Sequence, residues 1–140
     1  MGTPLHELQE LRHLLQLLAR QFDLLLKHCS CSMNINTVEC TILYELREGK
    51  QMTLNELSQK LHIDKSTASR NIQKLVKREL VQRYPDPIDR RFVQLSLTEQ
   101  GLKLEQEITD TLMHYIGPAF KELNEERLKH LYEDLIKLTK

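Results

Sequence analysis

Leu5, Leu8, Leu11, Leu15, Leu18, Phe22, Leu25 and Leu26 recur at three- and four-residue intervals. That rhythm predicts one long amphipathic helix at the head of the chain. Asn36, with Glu39 three residues on, has the spacing of a capping box and predicts a second helix start. Thr53 and Glu56 repeat that spacing, so that two orphan amides can be satisfied reciprocally, and Leu54, Leu57 and Leu61 follow as an apolar stripe. After the short break His62-Ile63, Asp64 or Ser66 can cap a further helix, which turns Ala68, Ile72, Leu75 and Val76 inward. Two β-biased runs come next, Leu80 to Tyr84 and Phe92 to Leu97, separated by turn-forming residues from Pro85 to Arg91. Helical periodicity then resumes through Leu102, Leu104, Ile108, Leu112 and Tyr115 as far as Gly117-Pro118. Proline cannot continue the backbone ladder, so the helix is expected to stop or kink there. Asn124 opens a last helical pattern through Leu128, Leu131, Leu135 and Leu138.

Helix, turn, helix and basic hairpin in that order predict a winged helix-turn-helix, within a fold that is mainly α with a small β-hairpin wing. A chain of 140 residues is long enough for one core and short of two. We therefore expect a single domain over residues 1–140. Residues 36–98 form the winged-helix core, and residues 1–35 and 99–140 supply flanking dimerisation helices. The outward face of the expected recognition helix, residues 65–78, carries Lys65, Ser66, Thr67, Ser69, Arg70, Asn71 and Lys74. Such side chains reach base edges and phosphates from the major groove of double-stranded DNA. The wing, residues 84–92, holds Arg90 and Arg91 near its tip. A solvated hairpin tip is the plainer account of those two arginines.

Net charge is zero, which at first argues against a nucleic-acid partner. The distribution answers that objection. From Lys60 to Arg91 nine Lys or Arg stand against four Asp or Glu, a local charge of +5, which leaves −5 for the remainder. Charges further away than a Debye length do not cancel the phosphate attraction of a basic face.

At the wing and the helix that follows it, the residues resemble a known family. The MarR family of bacterial transcription regulators joins an Asp-x-Arg wing to a Leu-Thr-x-x-Gly helix start. Here those are Asp89-Arg90-Arg91 and Leu97-Thr98-Glu99-Gln100-Gly101. A helix-turn-helix alone is shared by many families, whereas the ordered combination is specific. The resemblance implies that Arg91 enters a minor groove while Asp89 orients it. It also implies a dimer with N- and C-terminal helices interlaced between subunits, and a small-molecule or metal effector, often a phenolic or other amphipathic compound held between the two halves.

The flanking helices carry more apolar surface than one protomer can cover. That favours a homodimer, which would also pair two recognition helices with a pseudo-palindromic operator; an extended monomer core is the alternative. The function expected is a dimeric, ligand-responsive regulator, in most such proteins a repressor. A winged helix used only for protein contact is the competing class, and Arg70, Lys74, Arg90 and Arg91 weigh against it because a protein-binding wing needs no phosphate-matched surface. Nothing points to an enzyme: the chain has four glycines and no phosphate-cradling loop, and Ser66, Ser69 and the six histidines lack nucleophile–base spacing. His6, His13, His62 and His130 read as surface or cap residues. No secretory or membrane-spanning run is evident, since Arg12, Arg20, Asp23 and Lys27 interrupt the leucine-rich stretch. Met1-Gly2 has His6 where myristoylation wants Ser or Thr. A cytoplasmic location and reduced thiols are therefore expected.

Cys29, Cys31 and Cys40 fall within 12 residues at the junction of the dimer helices and the DNA-binding core. Residues two apart on a helix point to different faces, so Cys29 and Cys31 converge only if the helix frays there. No cofactor is required. The cluster is a candidate sensor for zinc or another thiophilic metal ion, or for thiol oxidation, which would need a lowered pKa and exposure at Cys40. Relatives in the family commonly add ligands from the helix after the wing, where His114 and Glu107 are available. The plainer account makes Cys40 a small core residue and the other two incidental.

Overall fold

Five side-chain caps set where helices begin. Asn36 Oδ1 accepts the Glu39 amide at 2.7 Å, Thr53 Oγ1 the Glu56 amide at 3.1 Å, and Asp64 Oδ1 the Thr67 amide at 2.7 Å. Thr98 Oγ1 accepts the Gly101 amide at 3.0 Å and Asn124 Oδ1 the Arg127 amide at 2.8 Å. Each satisfies a donor that the first helical turn would otherwise leave open. In this computed structural model, which describes residues 5–139 and every side chain among them except those of residues 30–32, the order is α1 (Leu5–Met33), α2 (Thr37–Glu45), a 3-10 turn (Arg47–Gly49), α3 (Leu54–Leu61), α4 (Lys65–Lys77), β1 (Val81–Pro85), β2 (Val93–Leu97), α5 (Glu99–Phe120) and α6 (Glu125–Leu138). The expected bounds at residues 1–4 and 140, and the Cys31 side chain, lie outside the described residues.

Both expected capping boxes are only half realised. Glu56 turns its carboxylate to the Thr53 hydroxyl, which donates to Oε1 at 3.1 Å. Glu39 is buried and lies 3.9 Å from the Arg78 guanidinium, tying α2 to the end of α4.

Apolar periodicity is honoured where elements cross. Ile42, Leu43 and Leu46, Leu57, and Ile72 and Leu75 are fully buried against Val81 and Leu95 of the hairpin. The strands pair antiparallel from Val81↔Leu97 to Pro85↔Val93, and Met52 adds a bridge to Leu95. Both strands start one residue later than the β-biased runs. The Leu80 amide instead returns to Leu75 O at 2.9 Å, closing α4, and the Phe92 amide returns to Asp89 O at 3.1 Å, keeping Phe92 in the turn.

The Leu-Thr-x-x-Gly start of α5 has a steric cause. A Cβ at Gly101 would fall inside the van der Waals contact of the Leu80 carbonyl oxygen. Thr98 locks the same junction, its amide reaching Leu80 O at 3.0 Å and its hydroxyl Glu79 O at 2.6 Å.

Pro118 does not stop α5, which runs on to Phe120. The ring removes one ladder bond in the last turn, where little helix remains to be lost. Nor does α1 fray at its cysteines: the helix is continuous to Met33, so residues 29 and 31 stay on different faces. α1 packs on α5 and α2. Leu5, Leu8, Leu11, Leu15 and Leu18, with Tyr132, Leu135 and Leu138 of α6, remain exposed in the single chain. No helix among the described residues is long and apolar enough to cross a membrane.

Candidate nucleic-acid interface

His62, in the left-handed region at φ 55°, ends α3 and lets Asp64 open α4 three residues after Leu61. This tight turn sets α4 across α3 with one face outward. Lys65, Ser66, Arg70 and Lys74 are exposed on it, and Thr67 and Ser69 are half-buried. Ser66 donates to Asp64 Oδ2 at 3.3 Å and Arg70 to Thr67 Oγ1 at 3.3 Å, so both hydroxyls are already oriented by neighbours.

Asn71 is a correction to the expected surface. It is 8% exposed and faces the core. Its Nδ2 donates to Thr67 O at 2.9 Å and its Oδ1 accepts from Asn36 Nδ2 at 2.9 Å. On the helix, residue 71 lies beside Ile72 and one turn from Ala68 and Leu75, at the edge of the buried stripe. A polar side chain is tolerated there because a second one, the cap of α2, meets it. The exposed polar residues that sequence reasoning passed over are Gln73 on α4 and Arg83 on β1, which line one shallow recess with Ser69.

The wing is organised by two aspartates. Asp89 takes a forked contact from Arg91, with Nη2–Oδ2 at 2.7 Å and Nε–Oδ1 at 3.0 Å, and also accepts the Arg91 amide at 3.1 Å. Arg91 keeps 85% of its side chain exposed, so the fork aims it without hiding it. Asp86, which sequence reasoning missed, accepts the Ile88 and Asp89 amides at 2.8 and 3.1 Å and Gln94 Nε2 at 2.7 Å. The signal was present: Asp before Pro in a turn is a common source of such Asx bonds. These contacts favour the charged forms of Asp86, Asp89 and Arg91. The Asp89 carboxyl is lowered first by the Arg91 side chain, and that of Asp86 first by the Asp89 amide. Arg91 in turn is raised by Asp89. Arg90 is exposed beside them. Lys65 and Arg91 line the same recess, together with Thr53, Glu56, Asp86 and Gln94, so the start of α4 and the wing present their cations on either side of one surface recess.

A second feature lies behind this face. A cleft of about 350 Å³ opens between α1, α2 and α5, with Phe22 and Leu26, Cys40 and Tyr44, and Ile108 and Leu112 among its walls. Cys40 is half-buried there. Burial first, then Cys29 and Glu105, push its thiol up to about 11, the opposite of what a redox switch needs. The thiol's carboxylate neighbour is Glu105, while Glu107 is exposed. His114 is exposed and stacks edge-on against Tyr115 at 5.4 Å. Among the described residues no three His, Cys, Asp or Glu are placed to hold a metal ion, so Cys29, Cys40 and His114 are not brought together as one site. Cys31 lies outside the described residues.

Residues 35–93 match the model of the MarR family. The chain is 35% identical over 96 residues to an uncharacterised HTH-type transcriptional regulator of Bacillus subtilis, YsmB, a match covering 69% of this chain and 64% of that one. It is 30% identical over 103 residues to the HTH-type transcriptional repressor NicR of Pseudomonas putida, covering 74% and 65%. The chain thus spans just under two thirds of the length of these relatives. Its fold is that of a mutant MarR from E. coli complexed with operator DNA, at TM-score 0.74 and 23% identity over 98% of this chain and 99% of that one. It is also that of the transcriptional regulator BldR from Sulfolobus solfataricus, at TM-score 0.81 and 20% identity over 99% and 97%. With the family model, these relatives and the shared winged-helix fold in agreement, the chain belongs to the MarR family.

Proposed function

We propose that this protein is a DNA-binding transcription regulator that works in the cytoplasm as a two-fold dimer, represses from a pseudo-palindromic operator, and is released by an effector held in the cleft. The observation that carries the reading is the Asp89–Arg91 fork, which presents an exposed guanidinium at the recess that Lys65 of α4 also lines. α4 lies in a major groove, with Lys65, Ser66, Thr67, Ser69, Arg70 and Lys74 facing bases and phosphates. Arg91 enters the adjoining minor groove, where narrow A·T-rich segments concentrate negative potential. Dimerisation is supported by the exposed leucines of α1 and α6, which need a second copy to cover them. Repression is supported by the likeness to NicR, a repressor by name.

The test is a salt titration of duplex binding. Log affinity should fall steeply and linearly with log salt, because phosphate contacts release counterions. Affinity that is weak and flat across salt would leave the winged helix as a protein-contact module. Sedimentation of the same samples should give a dimer.

A further inference from the structure

The charges on the cleft wall are all of one sign. Phe22 and Leu26 of α1 and Leu112 and Ile116 of α5 make an apolar chamber, and its volume of about 350 Å³ suits a small molecule. Two carboxylates line it, Glu45 and Glu105, and among the described residues no Lys, Arg or His does. Glu45 is matched by Lys60, whose Nζ lies 3.3 Å from Oε2. Glu105 is 8% exposed, and its Oε1 accepts from the Thr109 hydroxyl at 2.7 Å. Among the described residues no cation comes within ion-pair distance of it. Arg47 shares a shallow outer recess with Glu105 but is committed elsewhere, stacked 3.8 Å over the Tyr44 ring and donating to Tyr44 O at 2.9 Å. A hydroxyl alone meets one of a carboxylate's roughly four acceptor positions, and a buried carboxylate without a countercharge is costly.

We propose that the cleft selects amphipathic cations, with an aryl or alkyl body against α1 and α5 and an ammonium group on the Glu105 carboxylate. An anion of the same shape would meet like charge at that wall in a low-dielectric setting. This deepens the reading of the protein as an effector-controlled regulator and rests on it. The cleft is placed to matter for DNA binding. Leu61 lines it and is the last residue of α3, directly before the His62 turn into α4. A ligand that fills the cleft therefore presses on the joint that aims the recognition helix, and couplings of this kind typically change affinity about 5- to 150-fold.

The experiment compares 2-naphthylmethylamine with 2-naphthoate, which share one aryl body and differ in charge. Binding to the full chain is measured by calorimetry for the wild type, Glu105→Gln and Glu45→Gln. Glutamine keeps the acceptor for Thr109 and removes only the charge. The amine should bind the wild type at least about tenfold tighter than the naphthoate. That preference should vanish in Glu105→Gln and survive in Glu45→Gln. Equal or tighter binding of the naphthoate to the wild type overturns the proposal, as does a preference that outlasts Glu105→Gln. Binding of neither compound also overturns it. Operator affinity is measured on the same samples without ligand. A protein that ignores duplex DNA yet prefers the amine would refute the regulator reading and leave the ligand class standing.

Discussion

Asp89 grips Arg91 through three separate bonds to the side chain and a fourth to its amide, while the arginine remains almost wholly exposed. A long cation at a hairpin tip would otherwise sample many rotamers, and holding it in one lowers the ordering cost of binding. Arg91→Ala should weaken operator binding about 5- to 150-fold with the fold intact, and most strongly on A·T-rich sites. Asp89→Asn should weaken it less, because the charge remains and only its aim is lost. Lys74→Ala should weaken all sequences alike and flatten the salt slope by about one. Gel-shift titrations on operator and scrambled duplexes separate the three; full operator affinity in Arg91→Ala would remove the wing from the interface.

The wing should be insensitive to pH until strongly acid conditions. Asp86 and Asp89 have folded pKa values below the ordinary aspartate, through the amides and side chains they accept. A depressed folded pKa gives stabilisation that is fully present above the unfolded value, about 3.9 for aspartate, and lost as pH falls through the folded one. Carboxyl NMR titrations should place both midpoints below that ordinary value, with wing amide shifts constant from neutrality down to it. Wing shifts that move between pH 7 and 5 would contradict the two-aspartate account.

Gly101→Ala should destabilise the protein. In an ordinary helix that change stabilises by about 0.5–1 kcal/mol. Here the new methyl meets the backbone carbonyl of Leu80, which the Thr98 amide holds in place. Overpacking against backbone typically costs about 1–3 kcal/mol. Urea unfolding gives the sign directly, and a more stable variant would mean that the junction of α4, β1 and α5 yields easily.

Asn71 and Arg70 are neighbours in sequence with opposite roles. Asn71→Ala should lower stability by about 1–3 kcal/mol, because Asn36 loses a partner in a half-buried setting. At equal folded fraction it should leave operator affinity unchanged. Arg70→Ala should do the reverse. Combined melting and binding curves on both variants test this, and a large binding defect in a fully folded Asn71→Ala would return that residue to the DNA face.

The Cys40 thiol should react slowly in the native protein. With its pKa near 11, its thiolate at neutral pH is about 100-fold scarcer than that of an ordinary cysteine. Modification of Cys40 by iodoacetamide at pH 7.5, followed by mass spectrometry, should be slower than in the urea-unfolded chain by at least that factor. Equal rates would reopen Cys40 as an oxidation sensor.

Local chemistry was written plainly in the chain. Cap residues at 36, 53, 64, 98 and 124 and leucines at helical spacing determine where these helices begin and which face they bury, and the β-biased runs locate the hairpin to within one residue. Motif residues identified the wing for the same reason, since Asp89 and Arg91 meet across only two positions. What tertiary structure alone decided are pairings between residues far apart in sequence. Asn71 looked like a surface residue until Asn36, 35 residues away, met it. Glu39 left its expected local bond for Arg78. Glu105, rather than Glu107, came to face Cys40 and the cleft, because the rotation of α5 against α1 and α2 turns one carboxylate inward and the other out. Periodicity specifies a buried stripe to within about one residue on either edge. At that edge a polar side chain is settled by whichever partner packing delivers.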